Sequence, residues 1–218
     1  MNSSRDQILN SIHTTLQSTT RAPLPRHAAS VRIAPRATGD IDSEIALLLS
    51  EIEKLGGVTR RIGSIDELRI ALEELVKKEE IAKATMWETR ELRELGLAEI
   101  LTALGVTIVP SDAPSRVLAE CDLGVTGVDA ALPETGTLVL RSSHEHPQLV
   151  SLLPRVHLAI VHPSALRADL QNVFAEIKSG KRAVLITGPS RTTDIEKVLT
   201  IGVHGPKALH VFVLTTAH

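Results

Sequence analysis

Val58-Thr59-Arg60-Arg61-Ile62, then Ile65 to Lys77, then Ile81 to Met86, reads as strand, helix, strand, and this stretch decides the fold. Short apolar runs with β-branched residues argue for the strands, and apolar positions at three- and four-residue spacing argue for the helix between them. The same rhythm extends in both directions. Ser43 to Leu55 precedes it as a helix; Leu92 to Leu104 follows as one or two helical pieces, Val106 to Pro110 as a short strand and Asp122 to Thr126 as another. Leu138-Val139-Leu140, Leu158 to Val161, Ala183 to Thr187 and Val211 to Leu214 read as further strands, with helices expected at about 165–178 and 192–200. Strands of continuous apolar character belong to a sheet covered on both faces. The expected class is therefore α/β, a mostly parallel sheet covered by helices, with ligands at the carboxyl ends of its strands.

The N-terminus reads differently. Ser3 or Ser4 can cap a helix whose apolar positions are Ile8, Leu9, Ile12 and Leu16, and Arg21-Ala22-Pro23-Leu24-Pro25 ends it. Pro23, Pro25, Pro35 and Gly39 then mark a linker, so residues 1–39 are expected to form a helical arm and linker, and 40–218 the α/β domain.

Composition removes several function classes. The chain has 218 residues and a formal net charge of -2, with a pI near 6.5, which leaves no electrostatic footprint for nucleic acid. Trp87, Phe174 and Phe212 are the only aromatic residues of the Phe, Trp and Tyr types, too few for base-stacking platforms. The single cysteine, Cys121, cannot form an intrachain disulfide or supply an iron–sulfur cluster, and it reads as a small core residue. No apolar signal core opens the chain and no apolar run reaches the ~18 residues of a spanning helix, so a cytoplasmic protein without a membrane span is expected. A Walker sequence and a G-x-G-x-x-G turn are both missing, which argues against a standard mononucleotide loop and against NAD.

Two segments can carry chemistry. In Gly124-Val125-Thr126-Gly127-Val128-Asp129-Ala130-Ala131-Leu132-Pro133-Glu134-Thr135-Gly136-Thr137, small residues and hydroxyls surround two carboxylates. Thr135, Gly136 and Thr137 could hold a carboxylate or phosphate, with Glu134 as base or nucleophile. Equally, the glycines could serve tight turns while Glu134 is solvated. The second segment is Gly188-Pro189-Ser190-Arg191-Thr192-Thr193-Asp194-Ile195-Glu196. A strand end feeding a helix capped by Thr193 and Glu196 would make Gly188, Ser190, Arg191 and Thr192 an anion site, with the Arg191 fork adding charge. Helix capping alone would account for the same residues. His204, in Gly202-Val203-His204-Gly205-Pro206, could act as an acid or base or could fix its loop through a backbone carbonyl. His144-Glu145-His146 reads as a solvated loop and no metal is expected, because the i, i+2 histidines share a face only in a strand and Pro147 follows.

Taken with Leu153-Pro154-Arg155-Val156-His157, these motifs resemble the LUD-domain family, formerly DUF162, and within it the lactate utilization protein C group. The likeness spans about residues 120–215, with weaker similarity back to about 40. It implies a Rossmann-like domain of the NagB/RpiA/CoA-transferase type and a role in bacterial oxidation of L-lactate to pyruvate. It further implies a non-redox subunit without a cofactor of its own, acting with other lactate utilization subunits that hold the iron–sulfur clusters. The resemblance carries no catalytic residues over, so Glu134, Arg191 and His204 stand on their chemistry alone. The alternative is a freestanding CoA-transferase-like or sugar-phosphate-isomerase-like enzyme with Glu134 as base or nucleophile. A small carboxylate or phosphate ligand and a homo-oligomer complete the expectations.

Overall fold

The computed structural model describes residues 4–18, 36–177, 182–193, 199–202 and 204–215. The chain divides into two units, Met1–Ala34 and Pro35–His218, and the first contains helix α1 (Ser4–Ser18). The second begins with α2 (Ile41–Lys54), whose first turn is capped by Asp40: its Oδ1 accepts from Ser43 N at 3.0 Å. Residues just before it are tied down as well, because the Glu44 carboxylate accepts from Arg36 and, at 2.7 Å, from Gly39 N.

Strand β1 (Val58–Ile62), α3 (Ile65–Lys78) and β2 (Lys83–Met86) form the crossover read from the sequence. Ser64 caps α3 through a 3.2 Å bond from Glu67 N, and Leu68, Leu72 and Leu75 bury one face of that helix. Then follow α4 (Arg90–Glu94), α5 (Leu97–Ala103), β3 (Thr107–Val109), α6 (Ser115–Leu118) and β4 (Leu123–Gly127). Strands β5 (Ala130–Leu132) and β6 (Thr137–Arg141), helix α7 (Leu149–Leu152), β7 (Val156–Val161), α8 (Leu170–Glu176) and β8 (Ala183–Ile186) lead to β9 (Arg191–Thr193), β10 (Leu199–Ile201) and β11 (Ala208–Leu214).

Six strands pair in the order β1-β11-β7-β4-β2-β3, all parallel. Helices flank this sheet, and Leu123, Val125, Leu158, Val211 and Val213 are buried within it, as continuous apolar strands require. At Gly124 a Cβ would lie 1.9 Å from Val150 O of α7. Only glycine lets that helix sit on the strand backbone.

Two assignments change. Leu138–Leu140 and Ala183–Ile186, read as strands of the covered parallel sheet, instead build a separate antiparallel sheet β5-β6-β8. The 3₁₀ turn Pro133–Thr135 that joins β5 to β6 is far too short for a parallel crossover, so the pair must run antiparallel. The helix expected at 192–200 is replaced at both described ends by strands: β9 and β10 pair antiparallel, with Thr192 opposite Thr200. Both ends are rich in β-branched residues, which favour the extended form once a partner strand is available. Residues 194–198, which include the Glu196 of the expected capping box, lie outside the described residues.

Candidate functional site

The sheet order contains a topological switch. From β2 the chain passes to β3 on one side, whereas from β4, the other neighbour of β2, it proceeds to β7 on the opposite side. The crevice beyond the carboxyl ends of two such strands is left open by connections that diverge, and ligands of open α/β sheets bind there. A cleft of about 360 Å³ occupies this place, lined by Trp87 after β2, Gly127 and Asp129 at the end of β4, His162 after β7, and Arg141 and Arg167 from the side. A Cβ placed on Gly127 would meet nothing within 4 Å, so the backbone at the mouth of β4 is open to the cleft.

Arg141 is held from behind. Its Nε donates to Asp129 Oδ1 at 2.9 Å and its backbone N donates to Asp129 Oδ2 at 2.7 Å. The two terminal nitrogens of the guanidinium have no hydrogen-bond partner among the described residues. A guanidinium fixed at Nε with its outer pair unengaged is suited to a carboxylate or phosphate oxygen pair. Arg167, by contrast, is engaged at all three nitrogens: it makes bonds of 2.6 and 3.2 Å to the Glu176 carboxylate, 2.7 Å to Ser164 O and 3.0 Å to Leu166 O. Its bond holds the Glu176 carboxyl below the usual carboxylate range against the opposing effect of burial, and the charge of Arg141 adds to the lowering.

His162 presents a defined ring. Ser164 N donates to its Nδ1 at 3.2 Å, so Nδ1 is an acceptor and, in the neutral ring, the proton resides on Nε2. A proton on Nε2 would make His162, which lines the cleft, a second donor there. Trp87 is anchored by a 3.0 Å bond from Nε1 to Pro147 O, and His146 stacks on its ring at 4.5 Å with 17° between planes.

The residues singled out from the sequence are distributed over other places. Gly188, Ser190 and His204 meet around a cavity of about 150 Å³ together with His157. Glu134, Thr135 and Thr137 line a different cavity of about 240 Å³ with Asp169 and Thr187, so Glu134 and His204 do not share a site. The hydroxyls of Thr135, Thr137 and Thr187 form a chain, at 2.8 and 2.9 Å. Gly136 serves packing: at φ 61°, a Cβ there would come within 2.9 Å of Ile52 N in α2.

Arg191 donates through Nη2 to Leu55 O at the C-terminal end of α2, where a positive charge complements the helix dipole. It lies in β9 and does not line the cavity of Gly188 and Ser190, and Thr192 is paired beside it in the same strand. The Gly188 turn follows the carboxyl end of β8, but β8 belongs to the small antiparallel sheet, while the His204 turn feeds the amino end of β11. These residues therefore sit away from the carboxyl ends of the parallel strands where an anion site was expected. Among the described residues, no group of three His, Cys, Asp or Glu side chains is placed to hold a metal ion.

Asp129, Arg141, His162 and Trp87 were not candidates in the sequence. Asp129 and Arg141 are 12 positions apart, and only the β5–β6 hairpin brings them together. A hairpin reading of 130–141 would have exposed that pairing.

A family model described as the LUD domain matches residues 45–214. A lactate utilization protein C from Shouchella clausii is 34% identical over 158 residues, covering 67% of this chain and 69% of the relative. Another, from Halalkalibacterium halodurans, is 31% identical over 153 residues, covering 65% and 66%. The match thus spans about two thirds of the length of these relatives. Among solved structures, a DUF162-family protein from Deinococcus radiodurans superposes with a TM-score of 0.58 at 18% identity, over 81% of this chain and 99% of that one, a likeness of fold.

Proposed function

The chain belongs to the LUD-domain family, and from that premise we propose that it is a component of a bacterial L-lactate utilization system that binds a small 2-hydroxy or 2-oxo acid in the carboxyl-end cleft. The names of its relatives support the lactate connection. The observation that carries the binding site is Arg141, oriented by Asp129 and with its outer nitrogens unengaged, beside the topological switch. In this reading Arg141 takes the carboxylate and His162 Nε2–H takes the oxygen on the neighbouring carbon, which is a hydroxyl in lactate and a carbonyl in pyruvate. The chain positions the acid, while electron transfer from lactate, with its iron–sulfur clusters, belongs to partner subunits in the cytoplasm. Glu134 lines another cavity and takes no part.

Trp87 is the only tryptophan and lines the cleft, so its fluorescence reports occupancy directly. Titration of the purified chain with L-lactate and pyruvate should give a saturable change in Trp87 emission. Losing the guanidinium in Arg141→Ala should weaken binding about 10- to 100-fold, the scale of a charge-assisted bond worth ~1.5–3 kcal/mol. Equal affinity in the parent chain and Arg141→Ala would remove the site from the proposal.

A further inference from the structure

At the opposite end of the parallel sheet, the turns Gly188-Pro189-Ser190 and His204-Gly205-Pro206 close over the amino ends of β7 and β11. Ser190 N donates to Pro206 O at 3.0 Å, and Ser190 O accepts from Gly202 N at 3.0 Å. A Cβ on Gly205 would lie 3.2 Å from Ser190 Cβ, so the two turns are in contact. Beneath them is the cavity of about 150 Å³, with Leu152, Ile186 and Leu209 among its apolar walls and His157, Thr187, Ser190 and His204 among its polar ones.

His157 lines this space and is only 1% exposed. Its Nε2 is 2.9 Å from Thr126 Oγ1, whereas its Nδ1, equally buried, has no hydrogen-bond partner among the described residues. Burial holds the ring neutral, pushing its pKa down to about 3. A neutral imidazole has one donor and one acceptor nitrogen, and Thr126 satisfies one of them. A buried polar atom left without a partner costs about 1–3 kcal/mol, so such atoms are rare in folded proteins unless something meets them.

We propose that this cavity is a second ligand site, distinct from the anion cleft, which takes a small uncharged molecule with an apolar body and one hydrogen-bonding group seated against His157. The size fits, because a cavity of about 150 Å³ is the class that holds a benzene-sized guest. The charge follows from the walls: no Asp, Glu, Lys or Arg side chain lines the space, so nothing of fixed charge there compensates an ion for the hydration it would give up on entry. The two sites therefore select on different grounds, the carboxyl-end cleft by charge and this one by shape and a single polar contact.

Phenol is a suitable probe and benzoate its charged counterpart. The ring nitrogens of His157 would be followed by two-dimensional ¹H–¹⁵N correlation in the full chain, assigned with His157→Gln, and the melting temperature recorded in parallel. Phenol should shift the His157 nitrogens saturably and raise the melting temperature, while benzoate should do neither. Leu152→Phe and Ser190→Phe, both at half-buried positions, fill the cavity from two sides, and either one that keeps the parent far-ultraviolet spectrum should weaken phenol by about tenfold or more. The proposal falls if phenol produces no saturable shift, if benzoate matches it, or if the response survives in a folded filled variant. None of these outcomes depends on whether lactate or pyruvate binds at Arg141.

Discussion

Asp129 at the end of β4 grips Arg141 at the end of β6 twice, through Oδ1 to the side-chain Nε at 2.9 Å and through Oδ2 to the backbone N at 2.7 Å. The Asp129 side chain is 13% exposed and that of Arg141 41% exposed, so the holding partner is the more shielded of two residues that both line the cleft. Orientation of a binding arginine by a second carboxylate lowers the entropy lost when a ligand is taken up. Asp129→Asn keeps a side-chain oxygen but removes the charge, and it should weaken pyruvate binding several-fold with a stability loss of only ~1 kcal/mol, since the pair is partly solvated. Arg141→Lys should do no better than Asp129→Asn, because an ammonium cannot make the two parallel bonds. Calorimetric titration of both variants checks this; parent-like affinity in Asp129→Asn would show that Arg141 needs no orienting partner.

Gly124 and Gly127 lie three residues apart on one strand and should respond in opposite ways. A methyl group at Gly124 meets Val150 O at 1.9 Å, so Gly124→Ala must push α7 off the sheet and should cost about 3 kcal/mol or more in urea unfolding. Gly127→Ala has open space and should leave stability within ~0.5 kcal/mol, yet it narrows the cleft and should weaken the carboxylate ligand.

His157 makes a signed prediction about pH. Its folded pKa is depressed to about 3 by burial, whereas the unfolded residue titrates near 6.5. Between those values the unfolded chain binds one more proton than the folded chain, so stability falls as the pH falls, by about 1.4 kcal/mol per pH unit from this group. Burial lowers His210 as well, with Glu79 opposing, which adds a slope of the same sign. The denaturation midpoint of His157→Gln, followed from about pH 6.5 downward, should therefore lose acid sensitivity relative to the parent by close to one proton. An identical slope in both proteins would mean that His157 is charged in the fold or reached by solvent.

Glu44 is 7% exposed, and its carboxylate gathers Arg36 and Gly39 N. The Arg36 bond is the chief reason its pKa lies below the ordinary glutamate value, with burial opposing. Its contribution is therefore present above the unfolded pKa and lost as the pH drops through the lowered one. Glu44→Gln should destabilise the chain by about 1–3 kcal/mol at neutral pH and by much less in acid, as measured by chemical denaturation.

Arg191→Ala tests the separation of the two ends of the sheet. Because the guanidinium caps the C-terminal end of α2 at Leu55 O, its loss should cost ~1 kcal/mol or less and leave the Trp87 response to pyruvate unchanged. A large fall in pyruvate affinity would restore Arg191 as a ligand residue.

Much of this architecture is legible in the sequence. The apolar periods of 45–75 and 123–125 are local signals, and burial of Ile45, Leu48, Leu68, Leu72, Leu123 and Val125 agrees with them. The site was less legible. Gly188, Ser190 and His204 line one space, while the anion reading of the Gly188 turn rested on a helix N-terminus, and the chain builds β9 and β10 at the described ends of that segment. A three-residue segment such as Arg191-Thr192-Thr193 has no period of its own long enough to decide, so the strand that pairs with it decides instead.

The sequence by itself determined the layered α/β class, since hydrophobic spacing marks the longer segments as helices, short apolar runs mark the strands between them, and their alternation favours parallel pairing of the strands that helices connect. Tertiary structure alone decided that Asp129 would orient Arg141, that His157 would lie beneath Ser190 and His204, and that the open crevice would fall between β2 and β4. The physical reason is separation along the chain. Periodicity is written over neighbouring residues, whereas a site is made from strand order and register, which juxtapose residues whose distance in sequence carries no signal of their contact.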